Sequence, residues 1–326
     1  MTLSESLGTI GTPRKIMTWP MTWQRYRRLM FDRLKRAANA MAGWSAALLI
    51  AAIRRCDRVA VSNMAGAIMR TMGPWLPEHR TGRENLRAAF PDRSDAEIET
   101  TLRGVWDNLG RVGAEIAHLD HICSGDPYKR TFVDYTPESI AHFTHLKNDG
   151  KPALVFAAHV GNWELPAVIA ASDGLDSVVL YRRPNLGAVA DAVIALRKGL
   201  MGEMVASSLG APVALARALE QGRHVAMLVD QHYTRGIDVT FFGRTCKVNP
   251  LIAMLAREIE CPIHGARAIR LPGNRFRAEM SEEVKPVRDA EGRIDVQGTM
   301  QAITEVVEGW VREHPEQWLW VHRRWR

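Results

Sequence analysis

His159 and Glu164 stand at the two ends of the run HVGNWE, and both residue types suit proton transfer. An imidazole takes up a proton near neutral pH, and a carboxylate beside it fixes its tautomer and stabilises the imidazolium. Within a single helix, five residues of separation would turn the two side chains about 140° apart, at 3.6 residues per turn. A strand-to-helix junction serves them better. His159 then ends a strand, Gly161 permits a tight turn, Asn162 caps a helix, and Glu164 in its first turn folds back to the imidazole. Such a pair activates a nucleophile, and no Gly-x-Ser-x-Gly elbow supplies one from the protein. A hydroxyl of the substrate is therefore the expected nucleophile.

Two further apolar runs deliver polar groups at their ends. VVLYRRPN brings Arg182, Arg183 and Asn185, and VAMLVDQ brings Asp230 and Gln231. A planar guanidinium suits bidentate recognition of a phosphate; the plainer reading of the two arginines is surface charge. The C-terminal HRRWR, with Arg323 and Arg324, offers a lipid phosphate a second basic cluster, or is simply a basic tail. A metal site built from His159, Glu164, Asp230 and His232 is disfavoured, because no His-x-His or His-Glu-x-x-His spacing occurs. No phosphate-binding Gly-x4-Gly-Lys-Ser/Thr or dinucleotide-binding Gly-x-Gly-x-x-Gly is present either. No metal and no cofactor are expected.

The elements that must position these residues read as α/β. From residue 150 onward, apolar runs at 152–158, 177–181, 224–230 and 238–243 alternate with helical patterns from about 162 and at about 187–203, 211–221 and 249–259. Runs at 264–271 and 275–280 suit a hairpin around Pro272-Gly273-Asn274, and a last helix covers about 296–313. This alternation predicts a largely parallel central sheet flanked by helices, with the chemistry at the strand ends. Upstream, 79–120 reads as two helices, the second opened by a capping box of Ser94 and Glu97. The four cysteines lie far apart without a Cys-x-x-Cys, and are read as small buried apolar residues in a reduced compartment.

The net charge of +7 suggests nucleic-acid binding until it is located. Residues 1–60 hold eleven Lys/Arg against three Asp/Glu, and the rest of the chain is nearly neutral, so no nucleic-acid partner is expected. Between these charges, residues 37–53 carry no ionisable side chain. Seventeen residues lie at the lower edge of the roughly 17–25 that span hydrocarbon. Basic residues beside an apolar helix with Trp19, Trp23 and Trp44 suit an anionic membrane surface. A buried helix packed on the body is the competing reading. The expected division is 1–78, membrane-associating helices, and 79–326, an α/β domain.

At this point the chain resembles a known family, the late lipid A biosynthesis acyltransferases of lauroyl/myristoyl type from Gram-negative bacteria. HVGNWE is similar to their His-x4-Asp/Glu motif, and RENLRAAFP (83–91), YRRPN (181–185), VDQHYTRGIDVTFFG (229–243) and PEQWLWVHRRWR (315–326) match further blocks in the family's order. The resemblance covers roughly residues 25–326. It implies acyl carrier protein thioesters as donors, a hydroxyl of a lipid A precursor as acceptor, and contact with membrane lipids at the cytoplasmic face of the inner membrane. It gives His159 the role of general base, Glu164 that of its partner, and Arg182 contact with substrate. Another glycolipid or phospholipid acceptor would be served by the same chemistry. Two segments depart from the commonest pattern, RTCKVNP (244–250) and the Met- and Gly-rich 197–210, so acyl-chain length is left open.

Overall fold

The structure is a computed structural model that describes residues 23–183 and 188–325. Its first helix, α1 (Trp23–Ile53), runs unbroken through the apolar segment, and Tyr26–Ile53 is long and apolar enough to cross a bilayer. Only a small part of its surface is buried by the protein body. Arg54, just beyond it, ties it down by donating to the carbonyl of Ala117 and to Asp120. Next, α2 (Arg58–Met72), opened by the Asp57 side chain, packs along a later helix. After α3 (Pro77–Ala89), Ser94 and Glu97 form the expected capping box and open that helix, α4 (Asp95–Glu115). Gly110 permits the contact, because a Cβ there would lie 2.4 Å from the carbonyl oxygen of Ala65.

Nine strands follow among the described residues: β1 (Val133–Tyr135), β2 (Leu154–Ala157), β3 (Ser177–Tyr181), β4 (Glu203–Ala206), β5 (His224–Leu228), β6 (Ile237–Phe241), β7 (Arg244–Val248), β8 (Ile263–Leu271) and β9 (Arg275–Glu283). Seven make one sheet in the order β1-β9-β8-β2-β5-β3-β4, parallel throughout except for the β8–β9 hairpin around Pro272-Gly273-Asn274. The α/β architecture and that hairpin are as the sequence predicts. Three details differ. The run 238–243 leaves the sheet and pairs with β7 in a separate two-stranded ribbon, so RTCKV is strand. The helix expected at 187–203 ends at Arg197, and β4 follows as an edge strand too short to show a run. Cys56 is exposed, unlike the buried Cys123 and Cys246.

The helices pack in two layers. Residues facing away from the site on β2, β3 and β5 (Leu154, Phe156, Val178, Val225, Met227) join α9 (Ala211–Glu220), α10 (Leu251–Glu258) and α11 (Val296–Glu313) in the main core. The other face receives α5 (Leu119–Ile122), α6 (Pro137–Asn148) and α7 (Leu165–Ser172), while α8 (Ala188–Arg197) lies against α1. On this second face the side-chain period of two brings small residues together. Ala278, Ala266, Ala157 and Ala226 come from four neighbouring strands, β9, β8, β2 and β5. Alanines cannot fill the space between sheet and helices, and a cavity of about 970 Å³ remains there.

Candidate active site

The segment after β2 turns sharply on Gly161, which has φ +61°; a Cβ there would lie 2.0 Å from the carbonyl oxygen of Ala268. Backbone bridges hold both sides of the turn, from Val160 to Trp318 and from Gly161 to Ala268. Asn162 is fully buried: its Oδ1 accepts from the backbone N–H of Glu164 (3.2 Å), and its Nδ2 donates to Glu115 (2.9 Å). The helix itself starts three residues later than expected, at Leu165, with Glu164 in the cap position. Beneath the turn, Glu115 accepts both arms of Arg270 (2.7 and 2.9 Å) and the Ser62 hydroxyl (2.7 Å). Asn108 donates to the Gly161 carbonyl (2.9 Å) and accepts from Arg270 (3.0 Å). A buried, satisfied polar network of this kind is stiff, and it fixes where His159 stands.

His159 is buried at the C-terminal edge of the sheet, facing the cavity. Its carboxylate partner is Asp230 and not Glu164. Asp230 Oδ1 lies 2.8 Å from Nδ1 of the imidazole, and Oδ2 accepts from the His159 backbone N–H (2.8 Å) and from Trp318 Nε1 (2.7 Å). Glu164 instead accepts both arms of Arg197, from the end of α8, with 2.7 Å for the Nε contact. The physical reason is geometric: Asp230 follows β5, which lies beside β2, so its carboxylate meets the imidazole directly across the sheet edge. Burial opposes protonation of His159, but the Asp230 carboxylate outweighs it and raises the imidazole above its ordinary pKa, with Glu164 adding and Arg197 subtracting. Burial alone would push Asp230 up; the imidazole and the donated hydrogen bonds hold it below the usual carboxylate range. With Nδ1–H donated to Asp230, Nε2 is the acceptor nitrogen, and the Gln231 amide nitrogen lies 3.3 Å from it.

The other sequence candidates divide. Gln231, Arg182 and Arg323 line the cavity, and Arg182 and Arg323 are exposed at its mouth together with Arg183, which pairs with Asp191 (2.7 Å). Arg324 is not part of an open basic tail. It is buried with its guanidinium 5.1 Å over the Phe241 ring, and Nε and Nη1 have no hydrogen-bond partner. Asn185 lies outside the described residues. Sequence reading missed Arg197, Trp163, whose ring centroid lies 5.2 Å from that of His159, and the Trp318 contact. Trp163 stands inside the motif and was in view; nothing in the spacing of Arg197 or Trp318 indicated contact with the site. Among the described residues, no group of three or more His, Cys, Asp or Glu side chains is placed to hold a metal ion.

The α/β fold thus sets a histidine paired with a carboxylate beside a largely apolar cavity with arginines at its mouth. The chain belongs to the bacterial lipid A biosynthesis acyltransferases, whose family profile matches residues 29–326. No curated relative matches it.

Proposed function

We propose that this protein transfers a fatty acyl group from an acyl carrier protein thioester to a hydroxyl of a lipid A precursor at the cytoplasmic face of the inner membrane. The observation that carries this reading is His159: its Nδ1 is engaged by Asp230 while its Nε2 is directed to the Gln231 side of the apolar cavity. The acyl chain occupies the cavity. The acceptor hydroxyl displaces the Gln231 contact and gives its proton to Nε2 as its oxygen attacks the thioester carbonyl. The tetrahedral intermediate then collapses, and the departing carrier thiolate recovers the proton from the imidazolium. Asp230 keeps the imidazole in the required tautomer, and Glu164 acts through Arg197. Arg197, held by Glu164 through both arms, lines the cavity beside the imidazole.

Arg182 and Arg323, at the mouth, suit the phosphate of the acceptor. Because α1 lies against α8, which ends in Arg197, an anchored α1 brings this mouth to the bilayer surface. His159→Ala should lower transfer by at least about 10²–10⁴ with the fold intact. Purified variant that transfers acyl groups at the wild-type rate would refute the mechanism. Mass spectrometry of the host's lipid A with and without the protein tests the acceptor: loss of one acyl group per molecule is expected, and unchanged lipid A would point to another glycolipid or phospholipid.

A further inference from the structure

His159 follows β2, the middle strand of the seven, with three strands on either side of it. The cavity spreads both ways from there. On one side it runs over β5 and β3, lined by Ala226 and Val179; on the other it runs over β8 and β9, lined by Ala266 and Ala278. The short helix α7, which continues from the His159 turn, packs on both β3 and β8. It therefore crosses the middle of the cavity and leaves a wing on each side. From β9 to β3 there are four strand spacings, about 19 Å at ~4.8 Å each.

An engineered protein cavity of about 150 Å³ accepts benzene, so on that scale the 970 Å³ here has room for roughly forty carbon atoms. Even with the open mouth discounted, that is about twice what one lauroyl chain fills. A single chain would leave one wing empty, and the walls of an empty apolar space forfeit their packing contacts. The two wings differ in their surroundings. Arg182 and Arg183 extend β3, so the arginine-lined mouth stands over the β5–β3 wing. Helix α8, which follows β3, lies against α1, and Arg197 and Met201 at and after its end line the cavity. The β8–β9 wing is covered instead by α6, which packs on β9 and contributes Phe143.

We propose that the cavity takes two hydrocarbon chains at once, one on each side of His159, an inference that rests on the acyl-transfer reading above. The β8–β9 wing holds the acyl chain of the donor, and the β5–β3 wing holds a chain that the acceptor already carries. A lipid acceptor comes from the bilayer, on the side of α1, and its phosphate meets the arginines that follow β3. Its chain then takes the wing beneath them, and the donor is left the other. The hydroxyl and the thioester meet at the imidazole between the two.

The test uses the full chain in detergent and fills one wing at a time. Ala226→Leu narrows the β5–β3 wing and Ala278→Leu the β8–β9 wing; Val179→Phe and Ala266→Leu take their places should either fail to fold. With a lauroyl carrier protein thioester and a lipid A precursor, kcat/KM is measured for each substrate while the other is saturating. Ala226→Leu should lower kcat/KM for the acceptor about tenfold and leave that for the donor within about twofold; Ala278→Leu should do the reverse. A butyryl thioester, too short to enter its wing, should be indifferent to Ala278→Leu. If the folded variants weaken both substrates alike, weaken the donor alone, exchange their effects or change nothing, the two-chain inference falls by itself. If the wild-type protein transfers no acyl group to any acceptor, the acyl-transfer reading falls first and this inference with it.

Discussion

Asp230 spends one carboxylate on three donors, the imidazole and backbone of His159 and the indole of Trp318. That arrangement has a pH signature. In the proposed mechanism His159 accepts a proton only when unprotonated, and Asp230 raises its pKa, so kcat/KM should climb with pH through a midpoint above the ordinary value of about 6.5. Asp230→Asn removes the charge that opposes the effect of burial. The midpoint should then fall below that value, with kcat lower by about 10²–10⁴. A midpoint that stays in place in this variant would mean that Asp230 does not govern the base. Glu164→Gln should cost less in kcat than Asp230→Asn, since Glu164 bonds to Arg197 and not to the imidazole; single-turnover rates of the two variants decide the order. Arg182→Lys keeps the charge but loses the bidentate fork. It should raise KM for the phosphorylated acceptor and leave a dephosphorylated analogue unaffected; a fall in kcat for both acceptors would assign Arg182 to the transition state instead.

At the scale of elements, the turn that carries His159 after β2 is held from behind by the chain's C-terminal segment. Gln317, Trp318 and Leu319 pair with Gly161, Val160 and His159 through the backbone, at 3.0 Å for Gly161 N–H to Gln317 O and 3.2 Å for Leu319 N–H to His159 O. Gly161→Ala should be destabilising by about 2–4 kcal/mol, because the φ of +61° and the Ala268 carbonyl leave no room for a Cβ. Denaturant unfolding of the variant measures it, and a loss below about 0.5 kcal/mol would show that the turn relaxes. Much at this scale was legible. The capping box at Ser94, the β8–β9 turn, and the last helix, at the predicted 296–313, follow from local patterns that tertiary packing had no reason to override. β4 was missed because an edge strand of four residues, with Glu203 and Ala206 exposed, offers an apolar stretch of only three residues, Met204, Val205 and Ala206. The 238–243 run was assigned to the wrong sheet because alternation reveals a strand but not its neighbour.

For the whole molecule, the relevant boundary is the end of α1. Asp57 caps α2, Arg58 is buried, and α2 packs along α4, so a truncation that removes residues 1–60 would cut into the folded body. Deletion through Ile53 should spare it. The shortened protein should leave the membrane fraction and lose more activity on bilayer-dispersed acceptor than on a soluble analogue. Attachment through surface basic residues alone would also weaken with salt, since such attraction is screened within about 8 Å at physiological ionic strength. Full-length protein released only by detergent would favour a spanning α1; quantitative pelleting of the truncated protein would place the anchor elsewhere.

Local order determined what the sequence could state by itself: an α/β chain with a largely parallel sheet, an apolar N-terminal helix among basic residues, and His159 at a strand end next to a glycine turn. These depend on side-chain period, capping and backbone freedom, which act over a few residues. Which carboxylate meets His159 was decided only by the tertiary structure. Sequence proximity favoured Glu164, five residues away, but adjacency of β2 and β5 brought Asp230, at a separation of 71 residues, within 2.8 Å. The cavity likewise exists because four alanines on separate strands share one face of the sheet. Strand order is set by how whole elements pack, and no spacing within the chain encodes it.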